Sequence, residues 1–215
     1  VTTERRVGPT VAILPLRRLD DAKGRLGRAL TTDERARLAL GLLRRAVTAL
    51  LEGGVERVLI ITLDKRLATL GLDPRVEVDD QPVSYPGLNG AIRHGQEWAV
   101  ETGAASLLVV LPDLPLVGPE DIRAIVSAAR GGRNVLAADR AGRGTNALLL
   151  SPPDAISTEF GEESATLHRA ALRKTGLPFL EIERPGLALD LDTPDDLVAL
   201  AALGHDWRAA LASVC

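Results

Sequence analysis

The chain has 215 residues, within reach of one α/β domain. At 46% hydrophobic it can fill a core, but with 2% aromatics that core must be built from Leu, Val, Ile and Ala. A net charge of −3 argues against a nucleic-acid partner, which leaves a basic footprint, and the single cysteine, Cys215, excludes an intramolecular disulfide or a multi-cysteine metal site.

The opening stretch, VTTERRVGPT, lacks the apolar centre of a signal peptide. No run approaches the roughly 18 apolar residues of a membrane span, so a cytoplasmic protein with no membrane partner is expected. In chain order, residues 11–16 (VAILPL) form the first apolar run, followed by the polar, basic loop RRLDDAKGRL. Residues 33–52 read as an amphipathic helix with Leu38, Leu42, Ala46, Val47, Leu50 and Leu51 on one stripe. Thr31 or Thr32 caps it, and Gly53-Gly54 stops it.

Residues 58–62 are a second strand, 76–78 a weaker one, and 89–101 a second helix. Residues 107–111 (LLVVL) lead into Pro112-Asp113-Leu114-Pro115 and a helix over 119–130 that opens on proline. Strands at 135–138 and 147–150 are joined through the glycine-rich DRAGRGTN. A helix over 164–175, a weak strand at 179–182 and a helix over 194–203 follow. The strands are apolar without alternation, the pattern of a sheet covered on both faces. Residues 1–215 are therefore expected to form one three-layer α/β domain with a mostly parallel sheet.

In such sheets ligands bind at the carboxyl ends of the strands, so the residues that follow each apolar run matter most. Lys23 and Arg25 flank Gly24 in the first loop, where cations and close backbone approach suit a triphosphate, or simply face water. Asp113 is fixed between prolines at a strand end, as a Mg²⁺ ligand or a turn cap. Asp190 and Asp192 lie two apart and share a face if extended, as metal ligand and helix cap or as surface charges. Asp195 and Asp196 suit the first helical turn. Asn89 begins a helix, as an N-cap, a nucleotide contact or both. His94, His168 and His205 have no metal-ligand spacing, and only His168 lies near a suspected site.

Six strings in order, DAKGRL, GLNGAI, PDLP, DRAGRGTNALLL, FGEES and DLDTPDDL, resemble the 2-phospho-L-lactate and phosphoenolpyruvate guanylyltransferases, which serve coenzyme F-420 biosynthesis. The resemblance runs from about Val11 to Leu203. It implies a Rossmann-like nucleotidyltransferase fold, akin to nucleotide-diphospho-sugar transferases, with a mostly parallel mixed sheet. GTP and Mg²⁺ are then the expected nucleotide and cofactor, and a phosphorylated three-carbon acid the second substrate. Asp113 and Asp190 correspond to the metal-binding acids, and Thr145, Gly161 and Ser164 to the acid-binding residues. Lys23 and Arg25 would serve catalysis and, with Asn89, nucleotide binding.

The residues themselves supply reasons for the acid site. Thr145 lies beside glycine in a loop after a strand, and Ser164 at a helix N-terminus, where anions are favoured or a cap is needed. The family often has Lys where this chain has Arg17, which keeps the charge. A molybdopterin nucleotidyltransferase or a non-catalytic nucleotide-binding regulatory protein is the alternative reading. A homodimer is compatible with either. The sequence leaves open whether the acid is phosphoenolpyruvate, 2-phospho-L-lactate or 3-phospho-D-glycerate, with a lean towards phosphoenolpyruvate from the Arg/Ala-rich composition.

Overall fold

The computed structural model describes residues 8–208, so Cys215 lies outside the described residues. Seven strands form one mixed sheet: β1 (Thr10–Leu16), β2 (Arg57–Thr62), β3 (Val76–Asp80), β4 (Ser106–Val110), β5 (Asn134–Ala138), β6 (Thr145–Leu150) and β7 (Phe179–Glu181), in the order β3-β2-β1-β4-β6-β5-β7. Pairs β1–β2, β2–β3, β1–β4 and β5–β7 are parallel. β6 runs antiparallel to both neighbours, with Val110 opposite Ala147 and Ala138 opposite Thr145. The connection between β5 and β6 is too short for a parallel crossover, which needs a dozen residues or more. It turns back as a hairpin, and the start of β6 therefore lies at the same edge as the ends of β4 and β5.

The helices are α1 (Thr32–Glu52), α2 (Gly87–Glu101), α3 (Pro119–Arg130), α4 (Ser164–Thr175), the short α5 (Pro185–Ala188) and α6 (Pro194–Ala202). Thr31 caps α1: its hydroxyl accepts from the Glu34 amide while Glu34 accepts from the Thr31 amide, a reciprocal capping box. Period-two alternation divides β1 between two cores. Ala12 and Leu14 face Leu43, Leu50, Ile122 and Ile125 of α1 and α3. Val11 and Ile13 face Ile92 of α2 and Leu172 of α4. Helix α2 comes close to the sheet at Gly95, where a Cβ would stand 2.7 Å from Ile13 Cδ1. These are the two covered faces that the continuous apolar runs imply.

A third apolar cluster matters for the site. Leu26 and Leu30 of the first loop, Leu38 and Leu42 of α1, and Leu189, Leu191, Leu197 and Leu200 near the C-terminus pack together. Burying each such leucine stabilises the fold by roughly 1.5–3 kcal/mol. The cluster also holds the Lys23 loop and the segment carrying Asp190 and Asp192 on one patch.

Four short elements give no sequence period: the 3₁₀ turns Leu19–Asp21, Gly24–Arg28 and Lys65–Thr69, and α5. Elsewhere the expected elements are present, with no bound moved by more than two residues, β3 reaching to Asp80. No helix among the described residues is long and apolar enough to cross a membrane.

Candidate active site

Three acids and one lysine meet at the strand-end edge. Lys23 has a left-handed backbone (φ 55°), rare outside glycine, at the entry to the Gly24–Arg28 turn. Its ammonium donates to Asp113 Oδ2 at 3.0 Å and to Asp192 Oδ1 at 2.9 Å, and only 8% of its side chain is exposed. Burial opposes the charge on Lys23, but Asp113 and Asp192 outweigh it and raise the pKa overall. The other Asp113 oxygen, Oδ1, is buried and has no partner among the described residues. The Leu191 amide donates to the Asp113 carbonyl at 3.1 Å, which joins the two acidic segments through the backbone.

Asp190 completes the cluster. Its pKa is pushed up to about 6, first by burial and then by the charge of Asp113, with smaller effects from Asp192 and Asp196. Lys23 lies between Asp113 and Asp192, and Asp190 adds a third carboxylate within electrostatic reach of Asp113. Among the described residues no three acids or histidines are arranged to hold a metal ion together, so the oxygen open to a hard cation is Asp113 Oδ1. Asp192 was the open case in the sequence, and the structure assigns the helix cap to its neighbour: Thr193 caps α6 with Asp196, whose Oδ2 accepts from the Thr193 amide and hydroxyl. Asp192 is thereby left for Lys23.

The first loop is anchored by a residue that the sequence reading passed over. Asp64, 5% exposed at the end of β2, accepts from the Leu19 amide at 3.0 Å and is bound by Arg66. The Arg66 hydrogen bond holds its carboxyl well below the usual range. The signal was available, an acid two residues beyond an apolar strand, but its partner lies 45 positions away. Arg25 is exposed, and its guanidinium makes no hydrogen bond or ion pair among the described residues.

A second group lies at the start of β6 and of α4. Thr145 is the first residue of β6 and 2% exposed, so it is strand and core, not the loop position expected. Its hydroxyl lies 3.0 Å from His168 Nδ1. Ser164 is the first residue of α4 and 1% exposed, and its hydroxyl has no partner among the described residues. It does not cap the helix. Gly161 has φ +156°, a conformation that side chains rarely adopt, and its carbonyl accepts from the Ser164 amide at 3.1 Å. The Ala165 amide is taken by the Arg143 carbonyl, which docks the hairpin loop onto α4.

Asn89 is neither a cap nor free. Helix α2 starts two residues earlier, behind Pro86, and the Asn89 amide spans the backbone of Phe160, donating to its carbonyl at 3.0 Å and accepting from its amide at 2.7 Å. It fixes the loop that carries Gly161. His94 lies apart, against Asp79.

A family model described as "Guanylyl transferase CofC like" matches residues 10–210. The chain belongs to that family. It is 41% identical over 205 residues to a Sphaerobacter thermophilus protein named phosphoenolpyruvate guanylyltransferase, covering 91% of this chain and 93% of that one. A Rubrobacter xylanophilus protein of the same name is 40% identical over 194 residues, covering 90% and 94%. Among solved structures, a protein of Desulfovibrio desulfuricans assigned to the nucleotide-diphospho-sugar transferases superposes with a TM-score of 0.74 at 17% identity, covering 95% of this chain and 94% of that one. The 4-diphosphocytidyl-2C-methyl-D-erythritol synthase of Anaerococcus prevotii gives a TM-score of 0.62 at 11% identity, covering 92% and 97%. The fold of this guanylyl transferase family member is thus that of the nucleotide-diphospho-sugar transferases, as the resemblance implied, and nucleotidyl transfer is its chemistry.

Proposed function

We propose that this nucleotidyltransferase moves GMP from GTP onto the phosphate of phosphoenolpyruvate, with Asp113 and Asp190 holding Mg²⁺. The observation that carries the reading is two buried side-chain oxygens without partners among the described residues, Asp113 Oδ1 after β4 and Ser164 Oγ at the start of α4. A buried polar atom without a partner is costly in a finished core and expected where a ligand completes the bonding. The carboxylate oxygen can take a cation, and the Ser164 hydroxyl can donate to an anion. The relatives named phosphoenolpyruvate guanylyltransferase support phosphoenolpyruvate as that anion.

In the proposed reaction a phosphate oxygen of the acid attacks the α-phosphorus of GTP. The bond from that phosphorus to the bridging oxygen breaks, and pyrophosphate leaves with the electron pair. A phosphate monoester has a second pKa of about 6, so the attacking oxygen is already ionised near neutral pH and no general base is required. When bound, Mg²⁺ would offset the charge that both substrates bring. Lys23 and Arg25 add fixed positive charge for the triphosphate and the departing pyrophosphate. Thr145, Ser164 and the amides around Gly161 hold the acid, which converts a two-substrate collision into a positioned attack. The product, an enolpyruvoyl-diphosphoguanosine, would serve coenzyme F-420 assembly, as the sequence resemblance implies.

The test is direct. The protein is incubated with GTP, Mg²⁺ and, separately, phosphoenolpyruvate, 2-phospho-L-lactate and 3-phospho-D-glycerate, and products are read by mass spectrometry. A GMP adduct and pyrophosphate are expected, most rapidly with phosphoenolpyruvate. No adduct with any of the three acids would remove the reading, and a faster reaction with 2-phospho-L-lactate would change the substrate.

A further inference from the structure

His168 is the most buried histidine among the described residues, 1% exposed, and it stands one helical turn beyond Ser164 on α4. Both ring nitrogens are engaged. The Glu159 backbone amide, which can only donate, points at Nε2 at 3.1 Å. Nε2 is therefore an unprotonated acceptor, and the proton of the neutral ring sits on Nδ1. That N–H faces Thr145 Oγ1 at 3.0 Å, so the threonine oxygen is the acceptor in this bond. Once its oxygen accepts from His168, the Thr145 hydroxyl has its hydrogen left to donate. Burial holds the His168 pKa down at about 4, so the ring stays neutral at physiological pH.

The ring is held from two further sides. Phe160 packs its ring against His168 in an edge arrangement, with centroids 4.8 Å apart. The Phe160 backbone is in turn clamped by Asn89 of α2. A continuous set of contacts thus runs from α2 through residues 159–160 and His168 to Thr145.

We propose that His168 is a positioning residue for the acid substrate: it fixes the Thr145 hydroxyl as a hydrogen-bond donor and secures the loop that carries Gly161. This rests on the reading above that Thr145 holds the acid. An ionised phosphate or carboxylate accepts hydrogen bonds and offers none, so a hydroxyl locked as a donor suits the ionised substrate.

Two variants separate the functions of the two nitrogens. His168→Asn keeps an N–H donor near the place of Nδ1 and loses the acceptor for Glu159. His168→Gln keeps an acceptor near the place of Nε2 and loses the donor to Thr145. KM for phosphoenolpyruvate is expected to rise on the order of tenfold in His168→Gln and less in His168→Asn, with KM for GTP unchanged in both. In a Thr145→Val background the same His168→Gln change should have little further effect, because its target hydroxyl is gone. Additive effects in that cycle, or equal rises in KM for both substrates, would reduce His168 to a packing residue. The ring tautomer in the ligand-free native protein, read by ¹⁵N NMR at neutral pH, decides the assignment even if a variant fails to fold. An Nδ1–H tautomer is expected, and a charged ring or an Nε2–H tautomer overturns the proposal. That measurement uses no substrate, so it stays separate from the product assay that tests the guanylylation reading.

Discussion

Lys23 closes the acidic half of the site by lying between Asp113 and Asp192, whereas the Thr145–Ser164 half is closed by a neutral imidazole and backbone amides. In the first half the protein supplies its own cation, and a ligand must change existing partnerships. In the second the donors are already oriented, and Ser164 Oγ waits without a partner. Substitutions in the two halves should therefore fail differently. Charged-half changes alter both stability and turnover, while neutral-half changes alter recognition with little cost to the fold.

The largest effect is expected at Asp113. If Asp113 holds Mg²⁺ as proposed, Asp113→Asn removes a charge worth several kcal/mol of transition-state stabilisation, and each 1.4 kcal/mol is tenfold in rate. Turnover should fall by on the order of 10²–10³ or more, with no rescue by excess Mg²⁺. Near-normal steady-state rates would show that the acidic half is structural. Lys23→Ala is next. Its ammonium is buried against two carboxylates, so its loss leaves them uncompensated. Asp192 is 40% exposed, which limits the cost to about 1–3 kcal/mol. The melting temperature without metal should drop by several degrees and recover with Mg²⁺, while turnover stays low. A drop that Mg²⁺ leaves untouched would mean that the two cations do not share the acids.

Ser164→Ala sharpens the contrast from the other side. The serine hydroxyl bonds to nothing within the described structure, so its removal orphans no partner. Stability should hold or rise, because the hydroxyl removed is buried and unpaired. KM for phosphoenolpyruvate should rise on the order of 10- to 100-fold, the scale of one hydrogen bond to a charged group, while GTP affinity holds. Calorimetric melting and separate titrations of the two ligands measure both quantities, and a loss of stability without a change in KM would return Ser164 to the fold.

The positions of Asp113, Lys23 and Ser164 were legible because each follows an apolar run or opens a periodic helix. The sheet's antiparallel strand was legible in principle from the short connection over residues 139–144, and β6 indeed returns as a hairpin. What the sequence hid were partnerships across long separations. Asn89 reads as a helix start, yet its amide holds Phe160, 71 positions away. Asp192 reads equally as cap or ligand until Thr193 and Asp196 are seen to form the cap. His168 lies on a helical face that predicts burial, but the tautomer that gives it a role depends on the Glu159 amide and the Thr145 hydroxyl. Local pattern fixes which face is inward, and only tertiary packing decides which polar atoms meet there.

The smallest effect concerns pH and again divides the halves. His168 has a pKa near 4 in the folded protein against an ordinary value of 6.5. Between these two values the unfolded chain binds the extra proton and the folded chain does not, so protons favour unfolding. The contribution is fully present above about pH 6.5 and is lost as pH falls towards 4. At pH 5.5 the part lost amounts to about 1–2 kcal/mol, or roughly 2–6 °C in melting temperature for a chain of this size. His168→Gln keeps an acceptor for Glu159 and cannot titrate, so its melting curve should lose less stability than the native chain between pH 6.5 and 5. Parallel curves would place the His168 pKa at its ordinary value in the fold. Above pH 6.5 the ring is neutral in either state, so the pH dependence of KM for phosphoenolpyruvate should be the same in native and His168→Gln proteins. Any pH response remaining there must then come from the substrate phosphate and the acidic half, where charge, not orientation, is what the ligand has to resolve.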